Sequence, residues 1–338
     1  MISEVYQLIS PRTFLVEHKE INTRGSDVVI RPNYMALCHA DQRYYMGTRS
    51  AEILRKKLPM ALIHEACGTV VFDPTGTYKV GQTVLMIPNI PVNFNEEYYE
   101  NYGIGTGFRS SGIDGFMREY VNLPVDRTVP YDDIDPVVAA MSEFVSVSVH
   151  AVTRFKKLSA SRKETIGIWG DGNLAYVTAI VLKKICPECK VHIIGLMPDK
   201  LLNFSFVTQT HLASDLSDDF IVDHAFECAG GLGCEPAYKQ IIKHIAPQGM
   251  VALMGVSENT VPMNTRDVLE KGITLVGCSR SGRIDFEKVV EILSDVKTQK
   301  RLRRIISFDH VVRNLSEVHD VFKEDYSSPS KTVFKWEV

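Results

Sequence analysis

The side chains of this sequence that are best suited to metal chemistry are a thiol, an imidazole and two carboxylates. His64 and Glu65 stand side by side in residues 58–72, an otherwise apolar and strand-like run. A carboxylate in such a run is costly unless a cation, a hydrogen-bond network or a metal holds it. Cys38 precedes this pair, and Glu143 follows it at the start of an apolar helical pattern. Because thiolate, imidazole and carboxylate are zinc ligands, these four residues form a candidate metal site.

Structural roles compete with this interpretation. His64 and Glu65 could form a local ion pair at the end of a strand. Cys38 could pack as a small core hydrophobe, and Glu143 could be favoured by the helix dipole. Spacing alone leaves these alternatives open.

The segment GIWGDGNLAYV has the pattern of a dinucleotide-binding turn. Gly170, Gly172 and Ala175 form G-x-G-x-x-A directly after an apolar strand and at the start of a helix. Such glycines permit a tight turn and a close approach of the backbone to a pyrophosphate, which faces the helix N-terminus. With Asn173 and Leu174 in the first turn, we expect these five residues to bind a dinucleotide, with a plain glycine turn as the alternative.

The next strand, KVHIIG, bears on the choice between NADPH and NADH. An NAD site carries an acid about 20 residues after the glycines, at the end of this strand. No acid stands there in the sequence, so a 2′-phosphate would meet no repulsion. Lys200 follows as a possible cationic partner, although it could equally be a solvated surface lysine. The sequence therefore predicts NADPH.

The surrounding elements predict an α/β protein with two domains. Up to about residue 135 the segments are short and β-rich, and from residue 136 apolar strands alternate with helical patterns, which indicates a doubly wound parallel sheet. The last segments return to a strand-helix-strand style. We expect a β-rich domain over residues 1–145, completed by residues 286–338, and a dinucleotide-binding domain over residues 146–285.

The composition of the chain limits the classes of molecule that it is expected to bind. The chain has 338 residues, of which 45% are hydrophobic, and a formal net charge of −3. Without a positive excess or basic runs, neither nucleic acid nor an anionic membrane is an expected main partner. No run approaches the roughly 18 apolar residues of a membrane span. Seven scattered cysteines and no signal-peptide pattern predict reduced thiols and a cytoplasmic location. The CPEC run at residues 186–189 has redox or metal spacing, but we expect it to serve packing.

The order of these motifs resembles the zinc-dependent medium-chain dehydrogenase/reductase family. HEACGTVV, YKVGQTVLMIP, EFVSVSVHAV, FECAGG and GITLVGC match the family in order along essentially the whole chain. CHADQRYY, LPMALIHE, FRSSGIDGFM, IWGDGNLAY, DHAFECAGG and NTRDVLEKGITLVGCSRSG are similar, more specifically, to the ribulose-5-phosphate reductase (ribitol-5-phosphate dehydrogenase) group of teichoic-acid and capsule precursor synthesis. The resemblance implies a GroES-like catalytic domain with an inserted Rossmann domain.

The resemblance also implies roles for the residues near the metal. Cys38, His64, Glu65 and Glu143 become the catalytic zinc set, although Glu143 could bind through water. Asp41 matches an acid that orients the ligand histidine. One catalytic zinc is expected, and no structural zinc, because residues 89–115 take the place of the family's four-cysteine lobe and contain no cysteine.

Further positions match substrate and cofactor contacts. Tyr44 and Arg280 correspond to substrate-contacting positions of the polyol dehydrogenases, and His39 corresponds to a position near the cofactor pyrophosphate. Arg43, Arg109 and Arg280 are candidates for a substrate phosphate, since arginine suits bidentate phosphate contacts. Many relatives carry Ser or Thr two residues after the ligand cysteine to relay a proton. Here that residue is Ala40, so the proton must travel through water or through a carboxylate such as Glu65 or Glu143.

The function that these features imply is zinc-dependent, NADPH-linked reduction of D-ribulose 5-phosphate to D-ribitol 5-phosphate. An NAD-dependent polyol dehydrogenase acting on an unphosphorylated sugar alcohol is one alternative, and a non-catalytic dinucleotide-binding regulator is another. The family resemblance implies a homodimer. A pathway pairing with a cytidylyltransferase that uses ribitol 5-phosphate is a further expectation.

Overall fold

The computed structural model describes residues 1–92 and 97–338. Residues 93–96 of the predicted long loop lie outside this description. Packing divides the chain into two compact units, one made of Met1–Ser146 and Ser281–Val338 and the other of Val147–Arg280. The predicted boundaries, after residues 145 and 285, stay predictions. In the described part of the chain, no helix combines the length and the apolar character that a membrane crossing requires.

The strands and α-helices of the chain have the following bounds. The strands are β1 Ile2–Ser10, β2 Thr13–Glu20, β3 Val28–Ala36, β4 Met60–Ala61, β5 Glu65–Phe72, β6 Thr83–Met86, β7 Asn89–Ile90, β8 Gly107–Phe108, β9 Val121–Leu123, β10 Thr128–Pro130, β11 Thr165–Trp169, β12 Lys190–Gly195, β13 Gln209–Leu212, β14 His224–Glu227, β15 Met250–Leu253, β16 Thr274–Gly277, β17 Ile306–Val312 and β18 Lys331–Trp336. The α-helices are α1 His39–Tyr45, α2 Ala51–Lys57, α3 Pro136–Ala139, α4 Ser142–Leu158, α5 Asn173–Ile185, α6 Pro198–Leu201, α7 Cys234–His244, α8 Thr265–Lys271, α9 Arg283–Leu293, α10 Val296–Leu302 and α11 Leu315–Asp325.

The first unit is built on a sheet in the order β10-β6-β5-β3-β18-β17, with β9 also paired to β3. The register of β3 positions the candidate metal residues. Ala36, at the end of β3, pairs with Glu65 at the start of β5 and with Val333 near the start of β18. Because both pairings are antiparallel, Cys38 follows β3 at the same end of the sheet where Glu65 and Lys331 begin their strands.

The second unit contains a parallel sheet in the order β13-β12-β11-β14-β15-β16. Counted from β11, this is the order 3-2-1-4-5-6 of a doubly wound dinucleotide fold. Apolar side chains of β11 are buried on both faces, as a sheet covered by helices requires. The predicted α/β fold class with a Rossmann sheet is therefore confirmed.

Candidate active site

A thiol, an imidazole and a carboxylate converge at one end of the large sheet of the first unit. One ligand atom from each of Cys38, His64 and Glu65 lies within 4.8 Å of the other two. Glu65 is fully buried, His64 is nearly so, and Cys38 is half-buried. The structure thus brings together three of the four predicted ligands, and their role as metal ligands stays a prediction.

Asp41, in α1, connects the segments that carry this cluster. Its Oδ1 accepts hydrogen bonds from the Ile63 backbone N–H at 3.1 Å and from the Ser110 hydroxyl at 2.5 Å. Its Oδ2 accepts from the Cys38 N–H at 3.4 Å and lies 3.5 Å from His64 Nδ1. Burial alone would raise the pKa of Asp41, but His64 and the hydrogen bonds outweigh burial and lower the pKa. Asp41 therefore lies beside the imidazole, and its role in orienting the ring stays a prediction.

The backbone before His64 adopts an unusual conformation. Ile63 has a φ of +68°, a region that β-branched residues rarely enter. Its carbonyl oxygen accepts a hydrogen bond from the Phe116 N–H at 2.7 Å, and its own N–H is held by Asp41. A Cβ atom at Gly115 would lie 2.3 Å from the Ile63 carbonyl oxygen, so only glycine fits there. The surrounding contacts hold a strained residue next to the candidate ligands.

Lys331 is a residue of this site that the sequence did not reveal. Its Nζ lies 2.5 Å from Glu65 Oε1, and both side chains are buried. The ammonium also lies 4.8 Å from the centre of the Phe144 ring. Burial would lower the pKa of Lys331, but the charges of Glu65, Cys38 and Glu143 raise it above its usual value. The only sequence signal was a lysine opening an apolar strand, which is too common to indicate a site.

Glu143 lies in the first turn of α4 and is 7% exposed. Burial raises the pKa of its carboxyl group to about 7, with His64 and Lys331 opposing and Glu65 adding to the rise. Glu143 does not belong to the cluster of three ligand atoms found in the described residues. Direct metal binding by Glu143 therefore stays a prediction.

Tyr44 and Arg109, two of the residues predicted to contact the substrate, occupy different environments. Tyr44 is buried in α1, and the Arg49 guanidinium lies 4.9 Å from the centre of its ring. Arg109 is half-buried and donates hydrogen bonds to the Asp114 and Asn122 carbonyl oxygens at 3.2 and 3.3 Å. These contacts give Arg109 a structural role, and its role as a phosphate ligand stays a prediction.

Arg43, His39 and Arg280 are the other residues predicted to contact the substrate or the cofactor pyrophosphate. Arg43 is half-buried in α1, whose first residue, His39, is exposed. Arg280 belongs to the second unit and has a φ of +58°. Their substrate and cofactor roles stay predictions.

Two of the predicted cofactor residues, Gly170 and Gly172, line a cavity of about 530 Å³ in the second unit. Gly170 has a φ of +137° and packs against the backbone of Cys228, while Ala175 is fully buried in α5. Gly172 is the N-cap of α5 and supplies no side-chain cap, and a Cβ atom there would meet nothing within 4 Å. The helix N-terminus therefore faces open space suited to a phosphate group.

The residues that follow these glycines differ in exposure. Asn173 and Leu174 are half-buried in the first turn of α5, while Lys200 is exposed in α6. Their contacts with a cofactor stay predictions.

A second cluster of ligand atoms is formed by Cys186, Glu188 and Cys189 in the second unit. Both thiols are buried, and Cys189 Sγ donates to the Lys163 carbonyl oxygen at 3.0 Å. Burial raises the pKa of Cys189 to about 11. The Lys183 ammonium also contacts the Cys189 carbonyl oxygen at 3.2 Å, which places a positive charge beside the cluster. The packing role stays a prediction.

Comparison with known proteins decides the family. Residues 24–133 match the model of the alcohol dehydrogenase GroES-like domain, and residues 192–295 match that of the zinc-binding dehydrogenases. The chain is 51% identical to a ribulose-5-phosphate reductase of Streptococcus pneumoniae, with 100% of this chain and 98% of the relative covered. It belongs to the zinc-dependent medium-chain dehydrogenase/reductase family.

Other members of the zinc-dependent medium-chain family agree with this assignment. A ribulose-5-phosphate reductase of Bacillus spizizenii is 47% identical over the full length of both chains. The crystal structure of S. aureus TarJ in complex with NADPH superposes with a TM-score of 0.89 at 42% identity, and both chains are fully covered. The predicted GroES-like domain and family resemblance are therefore confirmed.

The chemistry of the cluster fits the metal that the zinc-dependent family implies. Cys38, His64 and Glu65 offer a thiolate, an imidazole and a carboxylate, which matches the three protein ligands of a catalytic zinc site. Glu65 Oε2 is buried and has no hydrogen-bond partner among the described residues, so it is available to a cation. Lys331 engages only the other oxygen, Oε1.

Proposed function

We propose that this chain is a zinc-dependent reductase that uses NADPH to convert D-ribulose 5-phosphate to D-ribitol 5-phosphate. The observation that carries the proposal is the cluster of Cys38, His64 and Glu65 in a chain 51% identical to a ribulose-5-phosphate reductase. The dinucleotide cavity beside Gly172 supports the use of a nicotinamide cofactor. The reaction is reversible, as for other ketone reductases of this family.

The residues of the first unit would hold the metal and keep its ligands oriented. When bound, zinc supplies a Lewis acid that polarises the C2 carbonyl group, and NADPH supplies the hydride. Asp41 holds the Nδ1 side of His64, which leaves Nε2 for the metal. Lys331 offsets the negative charge that Glu65 adds to the Cys38 thiolate. The buried surroundings exclude water from these charges and so strengthen their interactions.

Protonation of the product oxygen needs a donor other than residue 40. Ala40 has no hydroxyl group, and its backbone N–H donates to Cys38 Sγ at 3.5 Å. The buried carboxyl of Glu143 or a water molecule would supply the proton. For the substrate we propose contacts with Tyr44, and with Arg43 and Arg280 for its phosphate group.

The test measures NADPH and NADH consumption with ribulose 5-phosphate and with unphosphorylated ribulose, on protein whose zinc content is determined in the same preparation. We expect rapid loss of NADPH with the phosphate only, at about one catalytic zinc per chain. Turnover of the free sugar with NADH would move the chain to the polyol dehydrogenases. Bound cofactor without turnover of any sugar would instead favour a non-catalytic regulator.

We also propose that the chain is a homodimer that works in the cytoplasm. Strand β16 has exposed residues and, among the described strands, pairs only with β15, which leaves an edge for a second copy. All seven cysteines are unpaired, as in a reducing compartment. A cytidylyltransferase that uses ribitol 5-phosphate would consume the product. Sedimentation of purified protein at the mass of one chain would refute the dimer.

A further inference from the structure

The Asp171 carboxylate joins two segments of the cofactor cavity. Asp171 lies between Gly170 and Gly172, in the turn after β11. Its Oδ2 nevertheless accepts hydrogen bonds from the backbone N–H groups of Leu196 and Met197, each at 2.8 Å. These residues directly follow β12, so a side chain of the glycine turn caps the end of the neighbouring strand.

Asp171 packs closely against Gly195, the last residue of β12. A Cβ atom at Gly195 would lie 2.7 Å from Asp171 Cβ and 3.0 Å from Oδ2. A side chain at the last position of β12 is therefore sterically excluded by Asp171. Asp171, Gly195 and Leu196 line the same cavity as Gly172.

The position of Asp171 bears on the choice between NADPH and NADH. The end of β12 is where an NAD-binding fold carries the acid that binds the ribose 2′-hydroxyl. The sequence has no acid in that strand end, and the expectation that a 2′-phosphate meets no negative charge was based on this. The structure shows that the glycine turn brings the Asp171 carboxylate to the same place.

We propose that Asp171 determines how strongly the protein discriminates between NADPH and NADH, an inference that rests on the proposed cofactor use. Its charge opposes a 2′-phosphate, whereas its second oxygen, Oδ1, suits a ribose 2′-hydroxyl. The same side chain anchors the turn that leads into α6, which carries Lys200. The charge of Asp171 thus limits the preference for NADPH over NADH. The same side chain positions α6, in which Lys200 supplies a positive charge that balances it.

The substitution Asp171→Asn separates charge from hydrogen bonding. Both N–H groups bind the same oxygen, so the amide oxygen of asparagine can accept both bonds while the charge is lost. We expect the ratio of the Kd for NADH to the Kd for NADPH to rise about tenfold, mainly through tighter NADPH binding, because a like charge is removed. The dissociation constants are measured by calorimetry without substrate, at low and high salt, and the gain should shrink with salt.

The matched control is Glu164→Gln, which removes the same charge directly before β11, at the opposite end of the sheet. Glu164 is exposed and pairs with Lys190 at 2.7 Å. We expect its Kd ratio to equal that of the wild type. In Asp171→Ala the charge and both hydrogen bonds are lost, so NADH should bind at least about tenfold more weakly, whereas the loss for NADPH should be smaller because a like charge is also removed.

The outcomes distinguish this inference from the proposed function. A Kd ratio in Asp171→Asn within twofold of the wild type, or an equal change in Glu164→Gln, would overturn the role of Asp171. A wild-type protein that binds neither cofactor would overturn the proposed function itself. Melting temperatures of all variants verify that the proteins compared are folded.

Discussion

Lys331 and Glu65 form a buried ion pair although they are 266 residues apart in the chain, with Lys331 Nζ 2.5 Å from Glu65 Oε1. The pair exists because β18 and β5 both neighbour β3 in the sheet. Removing one partner of a buried pair leaves an uncompensated charge, which costs about 3–5 kcal/mol. The pair therefore links the last strand of the chain to the candidate metal site.

The first prediction follows for Lys331→Met. We expect the melting temperature of zinc-free protein to fall by several degrees, because Glu65 loses its partner. Added zinc should restore part of this loss, because a cation then compensates Glu65. The control is Lys335→Met on the same strand, whose ion pair with Glu337 is much more accessible to solvent and so contributes little to stability. Equal melting temperatures of zinc-free Lys331→Met and Lys335→Met would contradict the stabilising role of the buried ion pair.

The second prediction concerns the ligand atoms. Cys38→Ala and His64→Ala should lose bound zinc and reductase activity together, while NADPH binding by the second unit remains. Cys67→Ala is the control, because Cys67 is a buried thiol of the same sheet that donates to the Pro136 carbonyl oxygen instead. Zinc is measured by elemental analysis and NADPH by calorimetry. Full zinc occupancy in Cys38→Ala would show that the metal lies elsewhere.

The third prediction concerns Asp41 and Ser110. Asp41→Asn should weaken zinc binding about 10- to 100-fold, because the imidazole of His64 loses the acid that orients it. Ser110→Ala removes one of the donors to Asp41 and should weaken zinc binding less. Chelator competition gives both zinc dissociation constants. If Ser110→Ala had the larger effect, the hydroxyl would act on the metal site by a route other than Asp41.

The fourth prediction is a pH dependence of stability in the second unit. His192 Nδ1 lies 3.0 Å from His211 Nε2, and burial lowers the pKa of both side chains. The unfolded chain therefore binds protons more readily than the folded protein does. The stability that these two histidines contribute is fully present above a pH of about 6.5 and is lost as the pH falls below that value. His211→Gln should make the melting temperature fall less than in wild type between about pH 7.5 and 5.5. Exposed His18→Gln is the control, and parallel curves for His211→Gln and wild type would refute the prediction.

Local sequence revealed the candidate ligands and the glycine turn, whereas it could not reveal their long-range partners. Gly170 and Gly172 act through the conformation of their own segment, so their pattern is visible in a few consecutive residues. Lys331 and Asp171 act on residues of other strands. Their positions depend on which strands are neighbours and in which register, and no local pattern encodes that information.

The two glycines of the turn should respond differently to alanine, which is the fifth prediction. Gly170→Ala places a Cβ atom 2.9 Å from the Cys228 backbone at a φ of +137°, so the protein should be destabilised by about 1–3 kcal/mol. Gly172 has a φ of −89° and open space around its missing Cβ, so Gly172→Ala should melt like wild type. Its NADPH affinity should nevertheless fall at least about tenfold, because the methyl group occupies the approach of the pyrophosphate. Melting curves and calorimetry on both variants separate the effects, and unchanged NADPH binding by folded Gly172→Ala would place the pyrophosphate elsewhere.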